Sequence, residues 1–127
     1  MNIRVAHEDG HVSVTVFYVQ GQINMGSTTQ LEQLARAEYD EGMRDLLIDL
    51  SEASSLTSAG LRTLLMLYRL LDAPLSGKSA AQLKSSHLKL LNVPPNLQQV
   101  IQISGLDNFI ASYDDLPTAI ASFEAQD

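Results

Sequence analysis

Leu46–Leu71 reads LLIDLSEASSLTSAGLRTLLMLYRLL. Its first five residues, Leu46–Leu50, are a short apolar run suited to a strand buried in the middle of a sheet. Further on the period changes: Leu61, Leu64, Leu65, Tyr68 and Leu71 fall on one face of a helix that follows Ser58. Between the two runs lie Ser54, Ser55, Thr57 and Ser58, so small hydroxyl residues sit where a strand ends and a helix begins. A serine at the N-cap accepts a hydrogen bond from an otherwise unpaired N–H, and Ser58 is read as that cap. A phosphate at the same place would meet free N–H groups and the positive end of the helix dipole. Gly60 lets another backbone approach closely, or lets the first helical turn pack tightly. Arg62, Thr63, Met66 and Arg69 lie off the buried stripe, and a methionine beside an arginine makes a candidate contact surface.

Upstream, VSVTVFYV at Val12–Val19 is rich in β-branched and aromatic residues and alternates at its start, which predicts a strand. Asn2–Ala6 is expected to pair with it through a turn at Glu8–Asp9–Gly10, as a short edge strand. Gly21–Gly26 carries the chain to a helix. There Ser27 and Gln30 have capping-box spacing, Leu31, Leu34 and Ala35 face inward, and Gly42 is the stop. Downstream, Asp72–Ser86 mixes proline, glycine and serines and predicts a surface loop. His87–Leu91 reads as a strand. Pro94 and Pro95 open a helix with Leu97, Val100 and Ile101 buried and Gly105 at its end. Phe109–Ser112 is a short strand or edge segment. Asp114, Asp115 and Pro117 open a last helix whose Leu116, Ala119, Ile120 and Phe123 face inward. The order β-β-α-β-α-β-α-β-α predicts an α/β fold, a mixed sheet with a leading hairpin and about four helices packed on it.

Composition bounds the function. The chain has 127 residues, one ordinary domain over 1–127, with 45% apolar and 18% charged residues, enough to bury a core. It has no cysteine, which removes disulfides, thiolate metal sites and cysteine nucleophiles. A net charge of −7, from 8 basic and 15 acidic residues, disfavours nucleic acid and anionic membrane surfaces and favours a partner with a basic face. No apolar run reaches the length of a signal peptide or a membrane span, so the expectation is a soluble, cytoplasmic protein.

Catalytic patterns are missing from the sequence. His7, His11 and His87 lack metal-ligand spacing and read as solvated turn histidines, so no metal is expected. There is no Gly-x-Ser-x-Gly elbow and no histidine placed by sequence to serve Ser58. The glycines are scattered singly, without a Walker or dinucleotide motif, so no cofactor is expected. Glu38, Asp40 and Glu41 cluster at a helix end as a solvated face. The protein is read as not an enzyme.

DLSEASSLTSAGLRTLL resembles the signature of the STAS domain, the fold of bacterial anti-sigma factor antagonists. In that family a strand ends in Asp-Leu-Ser, and a turn leads to a Ser-Ser-Gly-Leu or Ser-Ala-Gly-Leu helix start. GQIN at Gly21–Asn24 is similar to the family's Gly-x-hydrophobic-Asp element, with Asn24 in place of Asp. LKLLNVPPNLQQVIQISGLDNFIASYDDLPTAIASF resembles its C-terminal half, so the likeness covers nearly the whole chain. The resemblance implies a binding protein. A partner that is both anti-sigma factor and HATPase-type serine kinase phosphorylates a serine in the turn, a PP2C-type phosphatase removes the phosphate, and the unmodified antagonist binds the anti-sigma factor. It points to Ser58 as phosphoacceptor with Thr57 second. Aligned on Gly60, the family's usual phosphoserine falls on Ala59, one place later. The partner surface implied comprises Asn24, Thr57, Ser58, Ala59, Gly60, Leu61, Arg62 and Met66. The alternative is a STAS subunit that docks, unphosphorylated, on a transporter component such as a lipid-transport ATPase. A homodimer through the edge strand is a further expectation.

Overall fold

The computed structural model describes residues 1–72 and 85–123. Among them the chain forms β1 (Asn2–Asp9), β2 (Ser13–Ile23), α1 (Thr28–Asp40), β3 (Leu46–Leu56) and α2 (Ser58–Asp72). Then follow β4 (Leu88–Leu91), α3 (Pro95–Ser104), a 3-10 turn (Leu106–Asn108), β5 (Ala111–Tyr113) and α4 (Leu116–Ser122). The predicted order of elements is the observed one. Most of the loop predicted at Asp72–Ser86 lies outside the described residues.

The sheet runs β1-β2-β3-β4-β5. β1 is antiparallel to β2, and the remaining pairs are parallel. A chain that steps always in one direction along a sheet, with crossovers of one hand, lays every connecting helix on the same face. Accordingly α1, α2 and α3 cover one face: Leu31, Ala35, Leu64, Leu67, Leu97 and Ile101 pack with Phe17, Val19, Ile23, Leu46, Ile48 and Leu88. Among the described residues the other face carries only α4, whose Ala119, Ile120 and Phe123 meet Val14, Val16, Leu47 and Leu91. Alternate residues of β2 and β3 therefore enter two different cores, which explains the unbroken apolar runs.

Lys89 is the unexpected member of the second core. It is 7% exposed, and its Nζ donates to the Ser122 carbonyl oxygen at 2.8 Å and to Ser122 Oγ at 3.0 Å. The ammonium lies 4.6 Å from the Phe123 ring centroid. It thus satisfies the carbonyl end of α4. Lys89→Ala is expected to destabilise the fold by about 3 kcal/mol in urea unfolding, through the lost bonds and the space left behind. Lys89→Met refills that space and costs less. At its other end α4 is capped by Asp115, whose carboxylate accepts from the Thr118 N–H and hydroxyl. Those two hydrogen bonds hold its pKa below the ordinary 3.8.

Several local readings change. The hairpin turn is Gly10–His11–Val12 rather than Glu8–Asp9–Gly10, and β1 is eight residues long, not a short strand. β3 continues to Leu56 instead of ending near Leu50, because its outer half pairs with the outer half of β2, up to Ile23 against Leu56. That pairing is bulged, with Gly21 at φ +103, a conformation other residues rarely adopt. The capping box at Ser27 does not form: Ser27 Oγ donates back to the Gln22 carbonyl at 2.7 Å and accepts the Asn24 N–H at 3.0 Å. His11 lies in the hairpin turn and His87 in the bend before β4. His7 lies in β1, 3.3 Å from Glu38, and half-buried His87 bonds Asp45 through Nδ1 at 3.0 Å.

Candidate functional site

The outer halves of β2 and β3 end side by side, and each feeds a helix. Two turns therefore sit together, Asn24–Ser27 before α1 and Leu56–Thr57 before α2. They are tied to one another: the Thr57 N–H donates to the Ile23 carbonyl at 3.1 Å, and its hydroxyl donates to the same oxygen at 3.3 Å.

Thr57, not Ser58, is the cap of α2. Its Oγ1 receives the Gly60 N–H at 3.4 Å, and its carbonyl receives the Leu61 N–H at 2.9 Å. Ser58 is instead the first helical residue, exposed, and among the described residues its hydroxyl has no hydrogen-bond partner. The first turn of α2 contains no acidic side chain, so the positive end of this helix is uncompensated. Arg62 is exposed four residues on, one helical turn below Ser58. Ala59 is half-buried.

Gly60 faces inward and is buried. A Cβ placed on it would lie 2.6 Å from Leu56 Cδ1, 2.8 Å from Ile23 Cγ2 and 2.8 Å from the Ile23 carbonyl oxygen. Both sequence readings are realised at once: the first turn of α2 packs tightly because the backbone at the end of β2 approaches it closely. Leu61 is half-buried and packs on the first core, and Met66 is half-buried rather than projecting. Thr63 is buried at 4% exposure, with its hydroxyl on the Ala59 carbonyl, so it leaves the contact surface. The buried stripe runs through Gly60, Thr63, Leu64 and Leu67; Leu67 was not among the predicted inward residues.

Asn24 is fixed by its own turn. Its Oδ1 accepts the Gly26 N–H at 2.9 Å and its Nδ2 donates to Gln22 Oε1 at 2.9 Å. An aspartate would make the first bond equally well, so asparagine keeps the turn geometry. The turn thereby holds out Met25, which is 82% exposed. Sequence reading missed Met25 by treating Gly21–Gly26 only as a connection; a lone apolar residue between Asn24 and Gly26 was the available signal. Met25, Thr57, Ser58 and Arg62 are all exposed at this end of the molecule, an apolar and hydroxyl surface beside a cation. Among the described residues no group of three His, Asp or Glu side chains could hold a metal ion, and no helix is long and apolar enough to cross a membrane.

The STAS domain family model matches residues 2–119. The chain belongs to the STAS domain family. This STAS protein is 28% identical over 106 residues, covering 84% of itself and 83% of its relative, to BtrV of Bordetella bronchiseptica, provisionally named an anti-sigma factor antagonist. Its fold matches the crystal structure of an anti-sigma factor antagonist from Mycobacterium paratuberculosis with a TM-score of 0.73 and 28% identity, over 96% of this chain and 94% of that one. Unphosphorylated SpoIIAA, an anti-sigma factor antagonist, shares the STAS fold with a TM-score of 0.62 and 16% identity over 92% of each chain. SpoIIAA has also been solved in its phosphorylated form, with a TM-score of 0.61 and 17% identity over 90% of this chain and 93% of that one.

Proposed function

We propose that the protein is a cytoplasmic anti-sigma factor antagonist, not an enzyme, whose binding is switched at Ser58. Unmodified, the turn at the start of α2 docks on an anti-sigma factor that is also a HATPase-type serine kinase. Transfer of the γ-phosphoryl group of ATP to Ser58 Oγ, with the hydroxyl proton passing to the kinase and ADP leaving, releases the partner. A PP2C-type phosphatase resets the turn.

The observation that carries this reading is the division of labour between two adjacent hydroxyls. Thr57 is engaged in the cap and the strand tie, whereas Ser58 is exposed and uncommitted. A phosphate on Ser58 would add about −1.5 to −2 charges and three acceptor oxygens. It could accept the unpaired N–H groups of the first turn and pair with Arg62, so the modified protein stays folded while its docking surface changes sign. The relatives named anti-sigma factor antagonists support the partner class.

Ala59 favours a second reading, because the family's usual acceptor position has no hydroxyl here: a STAS subunit that docks without phosphorylation, on a transporter component such as a lipid-transport ATPase. Incubation with the cognate kinase and ATP, read by intact mass, separates the two. One phosphate per chain, lost in Ser58→Ala, supports the switch. An unmodified wild-type chain in a stable complex supports the second reading.

A further inference from the structure

We infer that β1 is the seam of a homodimer. β1 pairs only with β2 among the described residues, so the outer edge of an eight-residue strand is left open. It has no proline and no bulge against β2, two of the usual devices that blunt an edge.

The charges on this strand specify a partner, and it is a second copy of the same chain. In an antiparallel ladder two opposed residues direct their N–H and C=O groups either both across the seam or both away from it, so a twofold axis passes through a residue rather than between two. An axis through Ala6 sets Arg4 of each protomer opposite Glu8 of the other, and this happens twice by symmetry. An axis through Val5 puts Arg4 against Ala6 and Glu8 against Asn2. An axis through His7 puts Arg4 against Gly10 and Glu8 against Ala6. Only the Ala6 register joins the one cation of the strand to a carboxylate.

Arg4 and Glu8 share one face of the sheet, opposite Tyr18 and Val14 of β2. The Arg4 guanidinium lies over the Tyr18 ring of β2, 4.0 Å from its centroid, so it runs along the sheet on the inner side of β1, and in the dimer it turns outward across the edge to meet Glu8 of the second copy. Ala6 between them is small enough to let the two pairs close. On the opposite face Val5 of one protomer meets His7 of the other. The seam lies on the edge of the sheet, away from Ser58, and is independent of the phosphorylation switch.

Sedimentation equilibrium of the full chain tests this. The wild type is expected to show a concentration-dependent monomer–dimer equilibrium. Arg4→Glu and Glu8→Arg are each expected to raise the dissociation constant about tenfold or more, since two favourable cross-strand pairs become repulsive. Glu8→Arg is the sharper arm, because it lowers the net negative charge and would strengthen an association limited by general repulsion. The double swap, Arg4→Glu with Glu8→Arg, restores both pairs and is expected to recover the wild-type dissociation constant, with unchanged circular dichroism throughout. A wild type that stays monomeric at its highest soluble concentration would overturn the proposal. So would single variants that dimerise as the wild type does, or a folded double variant that stays monomeric.

Discussion

Gly60→Val is expected to destabilise the protein by about 3 kcal/mol and to abolish binding of the anti-sigma factor. The Cβ alone would sit 2.8 Å from the Ile23 carbonyl oxygen and 2.6 Å from Leu56 Cδ1, and the two further methyls of valine enlarge the conflict. The Ile23 side cannot give way cheaply, because the same carbonyl already receives the Thr57 N–H and hydroxyl. Relief must come from α2, whose first turn would lift off the end of β2. That movement breaks the Thr57 cap and displaces Ser58, so a packing defect becomes a binding defect. The better helix propensity of valine over glycine, a few tenths of a kcal/mol, does not offset overpacking of this size. Urea unfolding reads the first effect and a binding isotherm with the partner reads the second. Wild-type stability in the variant would show that α2 does not rest on β2 as described.

Ser58→Asp is expected to behave oppositely in one respect. It should weaken partner binding about a hundredfold, close to 3 kcal/mol, by putting a carboxylate into a docking surface that was neutral there. Yet it should leave the fold as stable as the wild type or raise its stability by about 0.5 kcal/mol, because an acidic residue in the first turn complements the helix dipole. The first turn of α2 has no acidic residue of its own to saturate that effect. Ser58→Ala should bind like the wild type, since the hydroxyl makes no bond among the described residues. The two sites are thus distinguished by sign: valine at Gly60 lowers stability and binding together, aspartate at Ser58 lowers binding alone. Thermal unfolding beside a binding isotherm resolves them.

The α/β order was legible because each element carries its own period: alternation in β2, a short apolar run in β3, helical spacing in α1, α3 and α4. The family resemblance was legible because strand, turn and helix start fall in one order around Gly60. What escaped was set by partners distant in sequence. Ser51–Ser55 are too polar to look like a strand, and they form one because the outer half of β2 supplies their hydrogen bonds. α2 is apolar nearly all round, with Leu61, Leu64, Leu65, Met66, Leu67 and Leu70, so its spacing alone did not distinguish the stripe through Thr63 and Leu67 from the one through Leu61 and Leu65. The cap fell on Thr57 because the Ile23 carbonyl fixes where the strand ends, a contact between residues 34 positions apart. Ser58 proved to be an exposed, uncommitted hydroxyl at the first helical position and not the cap that its spacing suggested.

The central claim is that phosphate on Ser58 controls docking, and one measurement meets it directly. The affinity of the cognate anti-sigma kinase for this chain is compared before and after phosphorylation by that kinase with ATP, in the wild type and in Ser58→Ala. The expected result is a loss of about a hundredfold in the wild type and no change in Ser58→Ala, which stays bound and unmodified. Equal affinity of the phosphorylated and unmodified wild type, or phosphate retained on Ser58→Ala with loss of binding, would contradict it.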